Sequence, residues 1–174
     1  MIYIKNFCYI LRHKFWVGVY CIQIGLYKRA ITHDLSKFSS HEFVPYARNF
    51  FCKTKDPFEV HCIKRYFRDA WWHHYKTNSH HPEFYKTCKL LLDENGNNKI
   101  EDYYIEMSKD NILEMIADLK AMSRTVGGNK DGKNPMDYID WYFTKSDFNL
   151  NEYTRECLEW YFMVDKQCYI RGIK

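Results

Sequence analysis

No stretch of this chain is apolar for long enough to cross a membrane as a helix. Residues 1–27 are the richest in apolar side chains, but Lys5, Arg12, His13, Lys14 and Gln23 interrupt them. A span needs about 18 or more apolar residues in succession. No signal-peptide pattern is found, and none of the seven cysteines (Cys8, Cys21, Cys52, Cys62, Cys88, Cys157, Cys168) forms a CxxC pair. Reduced thiols in a cytoplasmic protein without a membrane partner are therefore the expectation. Lys and Arg are scattered and the net charge is only +4, so the concentrated basic stripe of a nucleic-acid binder is missing. Long apolar–polar alternation and internal repeats are also lacking. What is present is 46% hydrophobic and 18% aromatic, too much for disorder, in 174 residues that suit one domain with a real core.

Helix periodicity dominates. Apolar side chains recur at three- and four-residue steps over about residues 4–27, with His13 near the middle and Gly25 as a candidate end. A direct connection through residues 26–32 should then bring His33-Asp34 back beside His13. Ser39, followed three residues later by Glu42, is a capping-box pattern that predicts a helix to about Phe51. Pro57 opens the next, running to about residue 76. Its Val60, Ile63, Phe67, Ala70, Trp71 and His74 share one face, which leaves His73 rotated about 100° away. Pro82 can open a short helix, residues 93–102 read as a polar loop, and further helices are expected over 108–124 and 151–170. The fold class predicted is all-α.

Two motifs do not survive inspection. Gly127 to Lys133 has GxxxxGK spacing, but it follows a helix and Asn134 stands where Ser or Thr would bind Mg²⁺. Asp93-x-Asn95-x-Asn97 starts like a calcium loop, yet Asn98 replaces the required Gly and Tyr104 the bidentate Glu. The histidines form a stronger pattern. His13, His33, His74, His80 and His81, with Asp34 and Asp118, offer the imidazoles and carboxylates that suit Fe, Mn or Zn. Asp118, inside a helix dense in Ile, Leu and Met, would be costly unless paired.

The order His13 … His33-Asp34 … His74 … His80-His81 … Asp118 resembles the HD-domain superfamily of metal-dependent phosphohydrolases. Three segments are similar to an uncharacterised HD-like family of bacterial and phage proteins: Thr-His-Asp-Leu-Ser-Lys-Phe, His74-x-x-x-Asn78-x-His80-His81, and Glu114 through Ser123. The likeness covers about residues 10–128. It implies a single HD-type helical bundle over 1–174, with a helical extension from about 136. It further implies that His13, His33, Asp34 and Asp118 hold one divalent ion, and that His74 with one or both of His80 and His81 holds a second, Asp34 bridging. Lys37 would bind a phosphate oxygen. The GYP signature of the cyclic-dinucleotide phosphodiesterases is absent, so that specificity does not carry over. The implied activity is hydrolysis of a phosphomonoester or phosphodiester, with a small phosphorylated molecule such as a nucleotide as substrate. Arg12, Lys14, Arg48 and Arg124 are further candidates for phosphate contacts, and His41 and Glu42 for orienting water. A di-iron oxygenase and a non-catalytic binding protein with a structural metal stay open as alternatives, as does oligomerisation.

Overall fold

The computed structural model describes residues 1–171. Among the described residues, seven α-helices make up most of the structure: α1 (Ile2–Gln23), α2 (Tyr27–Thr32), α3 (Ser40–Phe51), α4 (Pro57–Thr77), α5 (Lys109–Thr125), α6 (Asp137–Lys145) and α7 (Glu152–Ile170). Single 3₁₀ turns occupy Leu35–Phe38 and Pro82–Tyr85. No helix among the described residues is long and apolar enough to cross a membrane. The seven cysteines are all free. The last three residues of the extension expected from about 136 lie outside the described residues.

Helix α5 organises the interior. One side packs against Val17 and Cys21 of α1 through Ala117 and Ala121, small residues that let the two helices approach closely. The other side, with Ile112, Met115, Ile116 and Leu119, packs on Tyr138, Ile139 and Tyr142 of α6 and Leu158 and Phe162 of α7. Of the aromatic side chains near the C-terminus, Tyr142 and Phe162 are therefore core, whereas Phe143 and Trp160 are exposed.

Helix α1 ends in a Schellman motif. Gly25 has φ +80°, its N–H donates to Ile22 O, and the Leu26 N–H donates to Cys21 O. The return to His33 is not the extended connection expected, because residues 27–32 form α2. Leu26 and Ala30 pack on the α1–α5 contact, and that apolar anchorage favours a compact helical turn.

The all-α expectation is corrected by a β-hairpin. Strands β1 (Lys86–Leu92) and β2 (Asn98–Tyr104) pair antiparallel from Lys86↔Tyr104 to Leu92↔Asn98, so half of the predicted 93–102 loop is strand. The loop that remains is closed by Asp93, whose Oδ1 accepts from the N–H groups of Asn95 (2.9 Å) and Asn97 (2.8 Å). Gly96 sits at φ +78°, where an L side chain costs about 1–2 kcal/mol. Gly96→Ala should therefore speed amide exchange across the hairpin while leaving the melting temperature almost unchanged, because nearly all of both strands is exposed.

The capping box is corrected as well. Ser39 stands at the N-cap of α3 but its side chain makes no capping hydrogen bond. Glu42 is fully buried and turned instead toward α4.

Candidate metal centre

Four segments meet in the middle of the bundle. Helix α1 contributes His13, the α2–3₁₀ junction His33 and Asp34, α4 and the turn after it His74, His80 and His81, and α5 Glu114 and Asp118. Two adjacent residues in one helix would point about 100° apart. His33 and Asp34 both face inward because α2 ends at Thr32 and Asp34 takes a left-handed conformation (φ 54°, ψ 29°). It is the only described non-glycine residue at positive φ, and strain of this kind concentrates at functional sites. After α4, Asn78 fixes the turn that presents His80 and His81 by donating to His74 O (2.7 Å) and Ser36 Oγ (2.9 Å).

The two oxygens of Asp34 face different histidines. Oδ2 lies 3.3 Å from His33 Nε2 and 3.9 Å from His13 Nε2. Oδ1 lies 3.5 Å from His74 Nε2 and 3.5 Å from His80 Nε2. His81 Nε2 is 2.9 Å from His74 Nε2, and Asp118 Oδ1 is 2.9 Å from His13 Nε2 and 3.7 Å from His33 Nε2. Two sets of potential ligand atoms result, each within 4.8 Å: Asp34, His74, His80 and His81, and His13, His33 and Asp118.

These residues fit divalent ions. Buried polar atoms normally find partners, yet His33 Nε2, His80 Nε2 and Asp34 Oδ1 are buried here without a hydrogen bond, and His13 Nε2 has only Asp118 beside it. On two of the rings the opposite nitrogen is held by a carboxylate, His33 Nδ1 by Glu114 Oε1 (2.9 Å) and His74 Nδ1 by Glu42 Oε2 (2.8 Å), whereas His13 Nδ1 is buried without a partner. Such partners orient the two rings with Nε2 toward the centre, and an ion bound there would displace the proton that His33 carries. Glu114 also comes within 4.8 Å of His33 and His80 as a third potential set. Its 2.9 Å approach to His33 Nδ1 is a hydrogen bond, which makes it an orienting group, itself anchored by Arg29. Glu42→Gln or Glu114→Gln should weaken metal binding by roughly 10–100-fold, read by titration with a chelator–metal buffer. An unchanged affinity would remove these two from the supporting shell.

The electrostatics separate ligand types. Burial lowers the His13 pKa, offset in part by Asp118. Burial and the charge on His33 push His80 down to about 3, and burial with His80 and His74 holds His81 well below the usual imidazole range. These three are neutral near pH 7, the form that binds metal. Burial also opposes charge on His33, but Asp34, Asp118 and Glu114 outweigh it and raise its pKa well above normal. Burial disfavours the Asp34 and Asp118 carboxylates too. His33, Lys37 and His74 nevertheless keep Asp34 ionised, and His13 and His33 do the same for Asp118.

All seven histidines and carboxylates singled out as ligands in the sequence meet here, His80 and His81 both included. Lys37 pairs with Asp34 and lines an adjoining pocket of about 240 Å³. The pocket walls are largely aromatic: Tyr46, Phe50, Phe67, Trp71, Trp141 and Phe148. The other candidate cations lie elsewhere. Arg12 donates to Arg124 O, Lys14 to Ile31 O and His33 O, and Arg48 to Glu59, while Arg124 stacks on Trp16. His41 stacks on His73, outside the cluster. Sequence reading gave no orienting role to Glu114, although it lies one turn before Asp118 on the same helix face. It also missed Glu83, whose buried Oε2 lacks a partner at the pocket, and the pocket contribution of Phe148.

Comparison with known proteins adds a family and no activity. No curated protein and no solved structure matches the chain. Residues 3–163 match DUF5662, a family of unknown function, and the chain belongs to that family.

Proposed function

We propose that this protein is a metal-dependent phosphohydrolase with an HD-type bundle, acting on a phosphomonoester or phosphodiester, with a nucleotide as the candidate substrate. One observation carries the reading: the oxygens of Asp34 divide between two histidine sets, beside an aromatic pocket whose one Lys or Arg among the described residues is Lys37. His13, His33 and Asp118 would hold one divalent ion and His74, His80 and His81 a second, with Asp34 shared; Fe, Mn and Zn all suit such donors. Bound there, the ions would supply Lewis acidity and lower the pKa of water toward neutrality.

The chain's own groups do the rest. Asp34 holds Lys37 in the lining of the pocket, and the aspartate's charge raises the Lys37 pKa although burial opposes it. A protonated ammonium at that point can bind a phosphoryl oxygen and offset charge that grows as the ester bond breaks. Trp71, Phe67 and Tyr46 exclude water and offer flat faces on which a base can stack.

Metal analysis of the purified protein, combined with a panel of nucleoside mono- and diesters, tests the proposal. Bound transition metal and metal-dependent release of phosphate or a monoester are expected. Absence of turnover with Mn²⁺, Fe²⁺ and Zn²⁺ would overturn it, as would a mixed-valent di-iron signal accompanied by O₂ consumption.

A further inference from the structure

Helix α1 is apolar on two separate faces. One face, with Asn6, Ile10, His13, Val17 and Cys21, is buried in the bundle. The other carries Ile4 (68% exposed), Phe7, Leu11, Phe15 (63%) and Ile22 at mostly three- and four-residue steps. A surface helix ordinarily shows polar residues there. The apolar surface continues off α1. The Phe38 ring lies 6.2 Å from that of Phe7, and Lys14, by donating to Ile31 O, ties the exposed Ile31 (71%) alongside. Leu35, also exposed, stands with Ile31 on either side of His33-Asp34.

Charge says what can cover this surface. Residues 1–33 contain no Asp or Glu, but they include Lys5, Arg12, Lys14, Lys28 and Arg29. Arg29 is neutralised by Glu114. Among the described residues the other four have no carboxylate within ion-pair distance, and the carbonyls that accept from Arg12 and Lys14 leave their charge intact. At about 100° per residue, Lys5 and Arg12 flank the apolar stripe on one side and Lys14 on the other. Pairing with a second copy would set these cations against their equivalents with no anion between. The complement required is apolar in depth and negative at its edge, which is the interface of a bilayer containing anionic lipid.

We propose that the outer face of α1, with Ile31, Leu35 and Phe38, docks the protein on an anionic membrane surface. The absence of a long apolar run argues against spanning, and it leaves open a helix that lies in the interface. Docking here would set the segment carrying His33 and Asp34 against the membrane.

The test is co-sedimentation of the full chain with vesicles of phosphatidylcholine alone or mixed with phosphatidylglycerol. Binding to the mixed vesicles only, weakened by salt, is expected. Lys5→Glu with Lys28→Glu should lower the partition coefficient at least tenfold, since each cation contributes roughly fivefold. Leu11→Ser with Phe15→Ser should abolish binding while circular dichroism shows the helical fold retained, because neither side chain belongs to the buried core. The proposal is overturned if anionic vesicles do not bind the protein, or if the serine variant binds them equally well. A discrete dimer, or a complex with an acidic protein, that forms through this face in place of vesicle binding also overturns it.

Discussion

Asp34→Asn is expected to strip the protein of metal and to lower phosphoester turnover by at least about 10³-fold. Loss of an orienting partner costs roughly 10–100-fold, and Asp34 stands closer to the chemistry than any such partner. Its two oxygens serve both histidine sets, so one substitution weakens both positions together. Asparagine keeps the shape, but it removes the charge that offsets His33 and Lys37. The contrast with Lys37→Gln is diagnostic. That variant should retain its metal and lose on the order of 10²–10³ in kcat, the loss expected for removing one group that stabilises developing charge. Metal content by mass spectrometry, measured beside turnover, separates the two. An Asp34→Asn protein with full metal occupancy and normal turnover would sink the assignment of the centre.

Chelation should lower the melting temperature by roughly 5–10 °C. A ligand that binds only the folded state adds about 2.7 kcal/mol when present at 100 times its Kd. For a chain of this length each kcal/mol moves the midpoint by about 2–4 °C. The physical source is the set of buried ring nitrogens and the Asp34 oxygen that make no hydrogen bond within the protein. Unpartnered buried polar atoms destabilise the fold, and an ion that engages several of them removes that cost. Differential scanning fluorimetry with EDTA, then with Mn²⁺, Fe²⁺ or Zn²⁺ restored, measures the effect. A melting temperature indifferent to all three ions would mean that the cluster is a hydrogen-bonded core.

Where sequence reading of the fold fell short, the reasons are physical. The hairpin escaped because neither strand has a buried face: Leu90, Leu92 and Ile100 are exposed, so no two-residue alternation marks them. Asn95-Gly96 was the available signal, a dipeptide favoured in tight hairpin loops. Ser39 and Glu42 satisfied a local capping pattern, but Glu42 found stronger partners in His73 and His74 from α4. A charge-assisted bond between helices prevailed over a local one, and no short-range motif could register that.

Sequence alone determined which side chains are chemically able to hold metal and the phase on which they stand. Helix periodicity made His74 the inward residue and set His73 about 100° from it, and the structure has His74 fully buried with His73 half-buried beside Glu42. That much follows from a 100° step and the need to bury apolar groups. Tertiary structure decided what the phase could not. The left-handed turn at Asp34 aims adjacent residues at one centre and divides the carboxylate between two histidine sets. Only the packing of α3 and α5 supplied Glu42 and Glu114 to the far side of the imidazoles. Such pairings join residues that are 32 and 81 positions apart. Their distance in the chain hides them from any local pattern, and the need to satisfy buried charge is what brings them together.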